Sequence, residues 1–145
     1  MKRLMLILAM GLMAVVVAHA AERTGTITVT VKKLRNNDGR VGALLFNSAD
    51  GFPKKIENAF RSASGPIKRK RAKLVFKNVP YGTYAIACLH DENGNGKMDY
   101  NVMGLPKEGY GFSNDAMGML GPPNFRAAKI ALDSPSLSLS IKIHY

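Results

Sequence analysis

A single cysteine, Cys88, stands in 145 residues, so no intrachain disulfide can staple the fold and its stability has to come from buried apolar surface. Acid is scarce as well: 10 Asp and Glu face 21 Lys and Arg, a formal charge of +11. No glycine period, sustained heptad pattern or internal repeat runs through the chain, which excludes collagen, coiled coil and repeat arrays. Disorder is excluded by the apolar fraction of 46%. Also missing are an activated nucleophile, an oxyanion device and metalloprotease spacing, so the chain is read as non-enzymatic.

At the N-terminus, Lys2 and Arg3 precede an uncharged apolar run from Leu4 to Ala18, and Ala18-His19-Ala20 places small residues where a signal peptidase reads. Residues 1–20 are expected to be a signal peptide cleaved after Ala20, leaving 125 residues and, without Lys2 and Arg3, a charge of +9. A spanning helix needs about 20 apolar residues. This run is shorter, and Glu22 and Arg23 follow at once, so no transmembrane segment is expected after processing. No cysteine follows the run to carry an acyl anchor. The expected compartment is the periplasm or the medium, which removes nucleic acid as a partner. The basic string Lys68-Arg69-Lys70-Arg71, continued by Lys73, then reads either as a strand edge kept wet by charge or as a site for anionic cell-envelope polymers.

Strand signals dominate residues 21–145, which are expected to form one domain; a chain of this size buries about two-thirds of the surface that its unfolded form exposes. Leu137, Leu139, Ile141, Ile143 and Tyr145 alternate with polar residues, which puts His144 on the wet face. Thr26 to Val31 alternates likewise and, through Asn36-Asn37-Asp38-Gly39, is expected to form a hairpin with Val41 to Phe46. Phe52, Ile56, Ala59 and Phe60 fall at helical spacing behind Pro53, predicting a short crossover helix within 48–64. Strand character returns at Ala72 to Lys77 and Thr83 to Leu89. The second of these is apolar on both faces, hence central, with Cys88 a buried, inert thiol. A further strand is read at Ala127 to Leu132. About seven short strands predict an all-β, Ig-like β-sandwich with one short helix and a long functional loop, residues 90–124.

That loop carries the chemistry. Asp91, Asn93, Asn95 and Asp99 occupy positions 1, 3, 5 and 9 of a run whose sixth residue is Gly96, the first three-quarters of a calcium loop. Alternate residues of a tight turn can converge on one hard cation, and Lys97 at position 7 would contribute its backbone carbonyl. Position 12 is Val102 rather than a bidentate glutamate, so affinity should be weak, at best about 10⁻⁴ to 10⁻³ M. Asn-Gly repeated twice is equally a hairpin turn needing no ion. Charge supports the ion: residues 91–115 hold 5 acids against 2 bases, whereas 21–90 hold 4 against 14. His90, Glu108, Tyr110 and Phe112 are read as additional ligands or loop-surface residues. Met98, Met103, Met117 and Met119 are the methionines left after leader removal; as soft thioethers they could handle copper with His90, or simply fill space under the loop.

The string from His90 to Asp99, then Gly104-Leu105-Pro106-Lys107-Glu108-Gly109-Tyr110-Gly111-Phe112-Ser113 and Gly121-Pro122-Pro123-Asn124-Phe125, resembles a bacterial family catalogued as domain of unknown function 2141. The resemblance implies an exported protein of uncharacterised activity and names no catalytic residue. More distantly, Phe76-Lys77-Asn78-Val79-Pro80-Tyr81-Gly82-Thr83-Tyr84 is similar to the turn of prealbumin-like and carboxypeptidase-regulatory-like sandwiches, which implies the fold alone.

Overall fold

The structure is a computed structural model that describes residues 21–145; the expected leader and its cleavage site after Ala20 lie outside the described residues. Eight strands form two sheets. β1 (Thr24–Lys32) is the centre of the first, between antiparallel β4 (Ala72–Pro80) and parallel β8 (Ser136–Lys142). The second runs β3 (Arg61–Gly65), β2 (Arg40–Phe46), β5 (Gly82–Asp91), β6 (Gly109–Phe112), with β7 (Ile130–Leu132) paired to the start of β5. The architecture is the all-β sandwich predicted from the sequence.

Alternation decides what meets between the sheets. Ile27, Val29 and Val31 of β1, Leu74 and Phe76 of β4 and Ile141 of β8 face Val41 and Leu45 of β2 and Tyr84, Ile86 and Cys88 of β5, all buried in one cluster. Their β-branched and aromatic side chains suit a pleated, half-buried surface. β5 is central, as its two apolar faces require, and Cys88 is buried, its thiol pushed up to about 12 by that burial.

Several local expectations are corrected: the expected 90–124 loop contains strand β6, and the strand read at Ala127 to Leu132 is shortened to β7 behind the helical turn Phe125–Ala128. β1 and β2 do not form a hairpin: both edges of β1 are taken by β4 and β8, so residues 33–39 carry the chain from one sheet to the other. Leu34, buried in the core, pulls this connection inward, and Gly39, at φ 64°, lies so close to the backbone of Asp91 and Glu92 that no Cβ would fit. The crossover segment 48–64 is turns, a 3-10 turn at Ile56–Asn58 and strand β3, rather than a helix. Its apolar residues do not share one face: Phe52 packs against Phe46, Phe112 and Phe125, whereas Ile56 is exposed. The one α-helical turn among the described residues, α1 (Phe125–Ala128), lies elsewhere and is capped by the Asn124 side chain accepting from the Ala127 N–H.

The two sheets meet at one edge. Tyr110 of β6 and His144 exchange backbone hydrogen bonds of 2.9 and 2.8 Å, an approach that the absence of a side chain at Gly111 permits, since a Cβ there would run into the Lys142 carbonyl. Among the described residues no helix is long and apolar enough to cross a membrane.

Candidate functional site

The outward residues of the second sheet are unusually apolar for a surface. At one end Phe46, Ala85 and Phe112 are buried beneath the segment that carries α1, with Phe52 and Phe125 completing an aromatic cluster of edge-on contacts at 5.3–6.0 Å. At the other end the cover lifts away. Gly42, Leu44, Ala87 and Leu89, with Ser62 and Ser64 of β3, form the floor of a groove of about 1010 Å³. Its walls are Pro53 and Ile56 on one side and Met98, Tyr100, Leu105 and Pro106 of the long loop on the other, with Leu120 to Pro122 closing the end. Large apolar side chains stand exposed along that loop: Leu105 at 55%, Met103 at 75% and Met119 at 98%. Tyr110 lines the same groove beside Phe112, ring centroids 5.9 Å apart.

The acidic run borders this groove. β5 sends Asp91 outward, and its carboxylate accepts the Asn95 N–H at 3.1 Å and the Gly96 N–H at 2.9 Å. Asn93 and Asn95 turn their amide N–H groups onto the Asp99 carboxylate at 2.5 to 3.1 Å, which holds that group below its usual range. The side chains at positions 1, 3, 5 and 9 are therefore brought together in one turn, and the Lys97 N–H joins through Asn95 Oδ1 at 3.0 Å. Asn93 and Asn95 each direct a carbonyl oxygen at one backbone N–H group, which leaves that oxygen's second lone pair to ligate an ion. The donor set is hard oxygen, which suits calcium, but among the described residues no three His, Cys, Asp or Glu side chains stand close enough to hold a metal by themselves. Any site would depend on the asparagines.

Glu108 plays a different part from that of an added ligand. It is buried, and its two oxygens accept the N–H groups of Glu92 at 2.9 Å and Asp99 at 3.2 Å, clamping both ends of the run. Glu92 in turn takes a bidentate grip from Arg35, with Nε at 2.9 Å, and a 2.7 Å bond from Asn36 Nδ2; the Arg35 guanidinium is the main cause that holds the Glu92 carboxyl below its ordinary range.

His90 points the other way. The period of the strand sends it inward, fully buried, with Nε2 donating to the Asp38 carbonyl at 2.9 Å and Nδ1 accepting from the Tyr145 hydroxyl at 2.6 Å. That hydroxyl accepts the Arg35 N–H at 3.0 Å, so the imidazole is committed to closing the core. It is not placed to join the methionines, of which Met98 lines the groove and Met103 and Met119 are exposed. The copper reading loses its histidine on that geometry.

The sequence profile of a family described as an uncharacterized protein conserved in bacteria (DUF2141) matches residues 29–140. The chain belongs to that family. No curated protein and no solved structure matches it. The span matched to DUF2141 contains the groove, the acidic run and the aromatic cluster. Sequence reasoning placed Asp91 to Asp99, Tyr110 and Phe112 at one locus and missed the floor. The signal was Leu44-Leu45-Phe46, apolar at three successive positions in a strand, which demands cover on both faces.

Proposed function

We propose that this DUF2141 protein is an exported, non-enzymatic binding module whose groove takes an elongated apolar or aromatic ligand, with the loop between β5 and β6 as one wall and weakly bound calcium ordering the acidic turn. The observation that carries the reading is the groove itself: about 1010 Å³ over a floor of small and aliphatic residues, rimmed by the exposed side chains of Tyr100, Leu105 and Leu120. Pockets for small molecules are concave and mostly apolar, and exposed apolar patches on soluble domains mark interaction sites. His90 and Cys88 are buried and face the core. Export rests on the leader-like residues 1–20.

Titration with the neutral fluorophore N-phenyl-1-naphthylamine tests it. Residues 21–145 should give saturable enhancement, and Leu44→Gln, at the groove floor, should weaken it at least about tenfold while the far-ultraviolet spectrum is unchanged. No enhancement with the wild type, or equal binding by Leu44→Gln, would overturn the groove.

A further inference from the structure

The face opposite the groove has its own chemistry. β1, β4 and β8 contain no Asp or Glu. Apart from Val75, their outward positions are mainly hydroxyls and lysines: Thr30 lies between Lys73 and Ser140, and Thr28 between Val75 and Ser138. Strand geometry spaces such hydroxyls about 4.8 Å apart across the sheet and about 6.7 Å along it.

This face runs into a turn built against its own steric preference. Lys68 and Arg71 exchange backbone hydrogen bonds of 2.8 and 3.1 Å, so Arg69 and Lys70 are the two central residues of a tight hairpin, at φ 52° and 56°. Asn-Gly is the usual solution there, because left-handed backbone disfavours a long side chain. Here two cations occupy the apex instead, and the Lys70 N–H is anchored to Asn37 Oδ1 at 2.8 Å. The ion pairs among the described residues are Arg35–Glu92 and Lys142–Asp115, so Lys68, Arg69, Lys70, Arg71 and Lys73 have no carboxylate partner there. A shallow cavity of about 370 Å³ joins turn to sheet, lined by Thr30, Pro66, Lys68, Arg71, Ala72 and Lys73.

We propose that this turn and the hydroxyl-bearing sheet face beside it form a docking surface for an acidic polysaccharide. The unpartnered cations match carboxylate or sulfate groups along a glycan, and the Thr and Ser hydroxyls match the sugar hydroxyls between them. Membrane docking fits less well, because Val75 is the one large apolar side chain exposed on the face and nothing aromatic accompanies it. The same lack of aromatics leaves no platform for nucleobases. The surface is separate from the groove and stands or falls without it.

The test is binding of residues 21–145 to polygalacturonate and to heparin at 50 and 300 mM NaCl, with single-stranded DNA and anionic phospholipid vesicles as competitors. Replacing Lys68, Arg69, Lys70 and Arg71 by Gln should weaken glycan binding at least about tenfold, whereas Lys54→Gln, Lys55→Gln, Arg126→Gln and Lys129→Gln together, an equal loss of charge elsewhere, should cost less than about threefold. Thr28→Val with Thr30→Val keeps the charge and the strand preference and should cost about threefold. Binding that weakens equally in both charge variants would overturn the site. So would wild-type binding insensitive to salt, a double valine variant that binds like wild type, or DNA or vesicles displacing the glycan at lower concentration.

Discussion

The two outer faces of this sandwich differ although both belong to strands with the same alternating geometry. On the first sheet, Thr26, Thr28, Thr30, Ser138 and Ser140 meet water, and the inward residues do all the packing. On the second, Leu44, Phe46, Ala85, Ala87 and Leu89 point outward, and separate segments within residues 96–128 partly cover them. The lesson is that period-2 alternation identifies a wet face only where the outward positions are polar; where both sets are apolar, a second layer or a ligand completes the fold.

The sharpest way to break that contrast is a pair of truncations at outward positions. Phe46→Ala removes a fully buried ring that packs on Phe52 and should cost about 3–5 kcal/mol. Thr28→Ala, equally outward but on the open face, should stay within about 0.5 kcal/mol. Urea denaturation of both variants decides it, and equal costs would mean that the two faces are not different in kind.

Glu108 gives the next effect. With it replaced by Ala, the N–H groups of Glu92 and Asp99 lose their acceptor, and the fold should lose about 1–3 kcal/mol. Hydrogen exchange should rise across residues 92–108 and not in β1 or β4. Protection lost uniformly would contradict a local clamp.

Calcium should sharpen the contrast by acting on one side alone. At ten times the dissociation constant the gain is about 1.4 kcal/mol, a shift of a few degrees in melting midpoint for a domain of this size. Asp91→Ala or Asp99→Ala should abolish the shift, and Asp115→Ala, whose carboxylate accepts the Lys142 N–H, should leave it. Identical melting in EDTA and in 5 mM calcium would reduce residues 91–99 to a turn.

Acid should act through carboxylates of the same loop region, one of which, Asp115, is paired with Lys142 of β8. Glu92 is held low by Arg35, Asp99 by Asn93 and Asn95, and Asp115, against a burial effect that raises it, by the Lys142 N–H and ammonium. Carboxyls depressed in the folded state contribute stability that is fully present above their unfolded pKa, about 4, and lost as pH falls through the lower folded values. Melting midpoints should therefore be flat from pH 7 to about 5 and fall below that. Glu92→Gln should reduce the slope of the fall.

Strands with one apolar and one polar face could be read directly, as could β5, because nothing but burial explains apolar residues on both sides of a strand. The acidic run was legible because its spacing is local. Connections decided by distant partners were not. Nothing in Thr26 to Phe46 tells that β4 and β8 will occupy both edges of β1, nor that Tyr145 will reach His90. β3 escaped notice because Arg61-Ser62-Ala63-Ser64-Gly65 has no β-branched residue; it is a strand through its pairing with β2. The helical spacing of Phe52, Ile56 and Phe60 misled because a period without a shared burying surface does not make a helix.

The central claim is that the loop-walled outer face of the second sheet is a binding groove. Amide chemical-shift mapping of residues 21–145 on adding N-phenyl-1-naphthylamine tests it most directly. The account predicts perturbations confined to the groove, at Leu44, Ala87, Leu89, Tyr110 and the 98–106 and 120–121 segments, with Thr28, Thr30 and Ser140 unmoved. Shifts scattered over both faces, or concentrated away from the groove, would contradict it.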